Sequence, residues 1–424
     1  MILNSKRMNT LLYSITFFML IVGFLTNNIG IPTEIMFCLD AFLVLGALFI
    51  LRALPQSIKS TKCFLPVLII VLLFAVALIG WGLNGYSIRM FINGIRINGR
   101  YFLVFLIALV LLNKTRIEKL FSLFINAIVV NVVFCTIQYF VFDCRGDFCG
   151  GLFGTALTNS WMNILLCIVA TYCISFYVNA NISLKKASIM CLLCVYIASL
   201  AEIKFFFFEL ILIVGLIILL NKPNKKTITI CIISGLLLIA MSTIVSSLWS
   251  SASSDMFSLE GIEYYLSEKS YGYASVGDLG RIGGISKLNE YFFTEKVNIF
   301  GKGIGSCEYG TPFYANYSYL HYIWFGYLMI FLEMGYLGLV LYIAFFVAVI
   351  IASVRKRVKC KELTPYEKSV HIFSEVLAII GIVLMWYNTT VFNYPGYFLF
   401  LSLAFAFTVN KSTRVNKEKI NVKN

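Results

Sequence analysis

Charge is scarce in this sequence. Asp, Glu, Lys and Arg make up 13% of its 424 residues, about half the ~25% of a soluble domain. That shortage excludes an ordinary soluble fold, and the 60% hydrophobic content marks an integral membrane protein. The alternation of apolar and polar residues that marks a membrane β-barrel is also missing. The apolar runs are continuous, and many reach the ~20 residues that a spanning helix needs. Histidine is nearly absent, with two in the chain. This excludes a His-rich metal centre, and no paired CxxC takes its place. Most of the twelve cysteines lie in apolar runs, where a free thiol behaves as a small hydrophobe. No P-loop is present, which argues against an ATP-driven pump. The spans do not pair as two similar halves, which weakens a secondary-transporter reading.

The apolar runs predict an all-α membrane protein of about 12 transmembrane helices: 11–26, 35–51, 63–83, 101–112, 120–142, 161–178, 187–201, 203–220, 227–249, 335–354, 370–391 and 394–409. The first follows Lys6-Arg7 like a signal peptide, but no small-residue cleavage site comes after it, so it reads as an uncleaved span. Residues 1–249 then hold nine spans, 250–334 form one large loop with short helices, and 335–410 hold three spans. A basic tail, 411–424, closes the chain. With the N-terminus in the cytoplasm, 24 of the 34 lysines and arginines fall on the cytoplasmic side. That is the bias expected of an inner-membrane protein with both termini inside, and it places the large loop outside. The net charge of +14 is then an orientation signal and needs no nucleic-acid partner.

The informative charges stand on the other side. Arg89, Arg96 and Arg100 lie between the third and fourth predicted spans. Glu202 and Lys204 sit where the seventh span meets the eighth, and Arg281 lies in the run Gly280-Arg281-Ile282-Gly283-Gly284 of the loop. Charges near membrane depth are functional candidates by default. The bland readings are snorkelling for the arginines and an ion pair of Lys204 with Glu202 or Glu209. Cys144 and Cys149 flank Gly146 in an expected outer loop, a spacing that suits a local disulfide in an oxidising compartment. Gly301, Gly303 and Gly305 imitate a dinucleotide fingerprint, but no strand–helix unit surrounds them. A turn returning the chain to the membrane is the simpler reading.

Taken in order, four features resemble the O-antigen polymerase and ligase superfamily of bacterial surface polysaccharide assembly. Lys204 stands at a span end where that family has a basic residue. Arg281, before a helix-like stretch at 285–293, resembles its loop arginine. Phe300-Gly301-Lys302-Gly303-Ile304-Gly305 resembles its Gly-rich turn, and Phe331-Leu332-Glu333-Met334-Gly335-Tyr336-Leu337-Gly338 its Leu-x-Glu-x-Gly-x-x-Gly close. Ligases of the family carry a His-Asn pair about nine residues before that Glu; here Trp324-Phe325 stand there, with His321 three residues earlier. The departure favours the polymerase branch.

The resemblance implies a GT-C-like glycosyltransferase architecture and no cofactor. It implies a substrate, an undecaprenyl-pyrophosphate-linked oligosaccharide, with membrane lipids and a chain-length regulator membrane protein as partners. A sugar hydroxyl would attack the anomeric carbon of a second lipid-linked unit, and undecaprenyl pyrophosphate would leave. Such a site needs cations, since guanidinium forks match phosphate oxygens. Arg281, Lys204, Arg100 and Arg96 are the candidates, with Arg89 on the same side. His321, Glu290 and Glu202 are candidates for a general base. Tyr319, Trp324 and neighbouring aromatics in 313–327 could stack on sugar or anchor the interface, and Glu333 closes the motif. An O-antigen ligase passing glycan to a lipid A core, and a polysaccharide-lipid flippase, are the alternatives.

Overall fold

The computed structural model describes residues 5–32, 34–155, 158–179, 181–221, 224–235, 279–292, 297–360 and 363–410. Among the described residues the chain is helical, with no strand. The helices used below are α1 (Ser5–Asn27), α2 (Ile35–Ile50), α3 (Leu54–Thr61), α4 (Phe64–Asn84), α5 (Ile88–Leu111), α6 (Lys114–Phe140), α7 (Asn159–Val178), α8 (Leu184–Leu200), α9 (Lys204–Leu220) and α10 (225–235). They continue with α11 (Gly284–Phe292), α12 (Gly326–Lys359), α13 (Pro365–Tyr387) and α14 (Gly396–Leu403).

Six of them, α4, α5, α6, α7, α12 and α13, are long and apolar enough to cross a membrane. They become seven if α2 and α3, bent by 77°, form one broken span. The chain is therefore a multi-pass helical membrane protein. The other predicted spans are represented by shorter helices: Leu12–Asn27 of α1, Gly396–Thr408, and α8 and α9 at 17 residues each. At ~1.5 Å per residue, 17 residues reach ~26 Å of a ~30 Å core. The predicted ninth span continues past α10 into 236–249, which, like 250–278 of the loop and the tail, lies outside the described residues.

Two predicted boundaries move. The fourth span was expected at 101–112, but α5 begins at Ile88, so the stretch carrying Arg89, Arg96 and Arg100 is helix and not an inter-span loop. Ser87 caps it by accepting the Met90 N–H at 3.4 Å. Three arginines lowered the apolar signal of a helix that continues through them. The tenth span was expected at 335–354, and α12 starts nine residues earlier with a break at Gly335 (φ 65, ψ −166). An L side chain seldom takes that φ, so glycine is required there.

The break has a use. A helix interrupted at 335 leaves carbonyls without their usual donors. Lys302 N–H bonds the Leu332 carbonyl at 2.7 Å and Gly303 N–H bonds that of Glu333 at 3.0 Å. The Gly-rich turn is thus a wedge locked onto α12, and not a nucleotide loop. Glu333, buried at 2% exposure, accepts the Cys307 N–H at 3.1 Å and the Asn98 amide at 3.5 Å. Its role is to hold that wedge.

The core is aromatic. Phe102, Phe105, Phe345, Phe400 and Phe407 meet edge-to-face and stacked across α5, α12, α14 and the segment after it. Such pairs add ~0.5–1.5 kcal/mol each beyond burial. Gly381 lets Phe346 of α12 lie directly on α13, the small-residue contact on which membrane helices rely. At the far end of the same pair, Arg357 grips Glu375 with two bonds of 3.1 and 3.0 Å and donates to the Leu220 carbonyl of α9 at 3.1 Å. α7 is the most buried of the candidate spans and lies between α6, α8, α9 and α13.

Candidate functional site

A cleft of about 360 Å³ opens where α7 and α9 begin and α13 ends. α7 starts at Asn159 and α9 at Lys204, and neither has a side-chain cap. Asn159, Ser160 and Asn163 on α7 and Ile203, Lys204 and Phe205 on α9 line the cleft. Two helix N-termini therefore bring the positive ends of their dipoles to one cavity, which favours an anion.

Lys204 adds a full charge there. It follows a tight turn in which Glu202 takes φ 50, sparsely populated for a non-glycine, and the Lys204 N–H bonds the Glu202 carbonyl at 2.8 Å. Strain of this kind clusters at functional sites.

Arg281 enters the same cleft from the large loop. Its guanidinium lies 4.5 Å over the Tyr387 ring and 6.0 Å from that of Phe325. Tyr387 in turn stacks on Phe205 with centroids 3.7 Å apart and planes 3° from parallel. Ring contacts thus fix the guanidinium plane. Tyr327 fixes the backbone by donating to the Arg281 carbonyl at 3.0 Å. Arg281 is only 6% exposed, so it is part of the packed wall and not a free loop residue.

Carboxylates stand beside these cations. Glu202 and Asp147 line the cleft, and Asp147 accepts the Asn159 amide at 2.9 Å. Burial pushes the Glu202 carboxyl above its ordinary range and Lys204 partly offsets this, while Asp147 adds to the rise. A carboxylate in that position takes a proton more readily than one in water.

Trp324 also lines the cleft, and His321 stacks on it at 4.0 Å and 20°. His321 is one layer behind the wall, in left-handed backbone at φ 52. The structure thus gathers Arg281, Lys204, Glu202 and Trp324. Tyr319 and Glu290 are exposed outside the cleft lining, and Arg89 is exposed on the first turn of α5.

Arg96 and Arg100 belong to a different cluster. Arg96 pairs with Asp40 of α2 at 3.1 Å. Arg100 donates to the Tyr101 hydroxyl at 2.9 Å and to the Phe392 carbonyl at 3.1 Å. The four cations expected at one pyrophosphate are split two and two, because α5 carries its arginines inward between α2 and α14. Glu308 joins this second cluster; burial raises its carboxyl, and Arg100 and Arg96 hold it down.

Asp147, Asn159, Asn163, Tyr387 and Asn388 escaped the sequence reading. The available signal was polar residues opening an apolar run, Asn159-Ser160 and Asn163, and the Asn388 that ends another. The expected Cys144–Cys149 bridge does not form. Both are free thiols, with Cys149 buried and turned toward the Cys135 carbonyl at 3.9 Å.

No protein-family profile matches this chain, and no curated protein matches it. The functional reading therefore stands on the cleft.

Proposed function

We propose that this protein is a membrane glycosyltransferase that joins undecaprenyl-pyrophosphate-linked repeat units into O-antigen or a related surface polysaccharide. The reaction would run at the periplasmic face of the inner membrane, with the large loop on that side. One observation carries the reading: Arg281 and Lys204 line one cleft together with Glu202, Asp147 and the first residues of α7 and α9. The cations suit a pyrophosphate, and a carboxylate beside them suits a sugar hydroxyl.

In the reaction, the acceptor hydroxyl oxygen forms a bond to the anomeric carbon of the donor. The bond from that carbon to the pyrophosphate oxygen breaks, and its electron pair leaves with undecaprenyl pyrophosphate. The hydroxyl proton passes to Glu202, the carboxylate beside Lys204. Charge grows on the pyrophosphate as the bond breaks, so fixed cations stabilise the transition state more than the ground state. A flippase would spread charge along a path through the bundle, whereas these charges gather at one end.

The test is purified full-length protein given lipid-linked repeat units and no lipid A core acceptor. A ladder of lengthening glycans is expected from the native protein. Arg281→Ala should slow the ladder about 10²–10³-fold, the usual cost of one fixed donor, and Arg281→Lys should restore part, since it keeps the charge but loses the fork. Products that form only when lipid A core is added would mean a ligase. A normal ladder from Arg281→Ala would take this residue out of the site.

A further inference from the structure

Two buried cysteines point at one another. Cys149 is 0% exposed, and its thiol donates to the Cys135 carbonyl of α6 at 3.9 Å. Cys135 is also 0% exposed, and its side chain turns toward the same loop. A Cβ added to Gly151, two residues after Cys149, would lie 3.0 Å from the Cys135 sulfur. The two thiols interact directly with one another.

The surroundings hold them in place. Asn131, Cys135 and Gln138 are spaced four and three residues apart, so they share one face of α6. Asn131 accepts the Leu152 N–H at 2.7 Å. Gln138 accepts the Gly151 N–H at 2.7 Å and donates to the Gly151 carbonyl at 3.0 Å. The loop after Cys149 is thus clamped to α6 on either side of Cys135.

Other uses of the pair do not fit. Cys135 otherwise meets the Met162 thioether at 3.6 Å, a weak acceptor. Among the described residues no three His, Cys, Asp or Glu gather as metal ligands. The Cys144 thiol, nearest to Cys149 in sequence, bonds the Phe142 carbonyl at 3.7 Å instead. Cys135 stands about one and a half turns before the end of α6. On the orientation proposed above, that end meets the oxidising side of the membrane, where disulfides form and persist.

We infer that Cys135 and Cys149 form a disulfide in the mature protein and so tie to α6 the loop that carries Asp147. Asp147 stands two residues before Cys149, lines the cleft and holds the Asn159 amide. The bond forms by exchange with a disulfide-bearing oxidant. One thiolate attacks a sulfur of the oxidant, and the second thiolate displaces it. One S–S bond replaces another, and two electrons and two protons leave with the oxidant as a dithiol. The inference does not depend on the reaction proposed for the cleft.

Peptide mapping of the full-length protein purified from cells tests it. The protein is denatured in SDS, and its free thiols are capped with N-ethylmaleimide. Trypsin then cuts after Arg145, between Cys144 and Cys149. Without reductant, the peptide ending at Arg145 should be linked to the one starting at Gly146, at their summed mass less two hydrogens. Reductant should part them. Cys144→Ser should leave the link intact, because Cys144 is not the partner. All twelve thiols capped without reductant would overturn the pair. Loss of the link in Cys144→Ser would overturn it too, and would give the bridge to Cys144 and Cys149.

Discussion

At the scale of the residue, Glu202 and Lys204 show how one turn makes two opposite chemistries. Two residues apart, they stand at the start of α9 with strained backbone between helices. The raised carboxyl of Glu202 has a kinetic consequence. A base whose pKa is raised is lost, as pH falls, at a higher pH than an ordinary carboxylate at ~4.3. The rate of glycan extension should therefore drop on the acid side with a midpoint above that value. Glu202→Gln should lower the rate at neutral pH and remove the acid limb. An acid limb that persists unchanged in Glu202→Gln would assign the proton to another group.

The same pair shows what a sequence can reveal. Lys204 is legible because a charge among apolar residues stands out, and Arg281 because it is a basic residue in a Gly-rich run of the outer loop. Their meeting is not legible, since it depends on Tyr387, more than a hundred residues after Arg281, supplying the ring beneath the guanidinium. Arg100 and Arg96 stand out by the same rule but serve a different cluster. Spacing along the chain marks a buried charge without saying which way its helix turns it. Arg281 is itself packed, at 6% exposure, so its variants need a check of protein level.

At the scale of the element, the interlock between the Gly-rich turn and the α12 break explains two motifs at once. A Cβ on Gly301 would lie 2.5 Å from Gly335 N and 2.6 Å from the Glu333 carbonyl carbon, at a φ of 69. Both partners are backbone and cannot move aside. Gly301→Ala should cost at least ~2 kcal/mol, since left-handed backbone alone costs an L-residue ~1–2, and it should lower Tm in detergent. Gly82 is the control: it sits in α4 with nothing near its would-be Cβ. Gly82→Ala should leave Tm unchanged or raise it slightly. Equal Tm values for the two variants would mean that the wedge is not part of the folded core. The pattern of glycines and Glu333 was legible in the sequence; that the two motifs bind one another was not, because the backbone hydrogen bonds that join them leave no mark in the order of residues.

At the scale of the whole molecule, the cleft lies at one end of the bundle and a separate group of basic residues at the other. α7 and α9 begin at the cleft and α13 ends there. Their other ends lead to Lys185 and Lys186, to Asn221 and Lys226, and to Lys368 in the first turn of α13. On the orientation proposed above, retention of basic residues in the cytoplasm would put the cleft outside, where a lipid-linked glycan would meet it. A reporter fused after Ser254 should be active only outside the cytoplasm, and reporters fused at Lys361 or Lys417 only inside. The prediction joins the charge count to the chemistry, because both depend on one orientation. An inside signal at Ser254 would turn the cleft toward the cytoplasm and away from the periplasmic substrate. The polymerase reading would then fall with the topology, while the interlock at Gly335 and the aromatic core would stand unchanged.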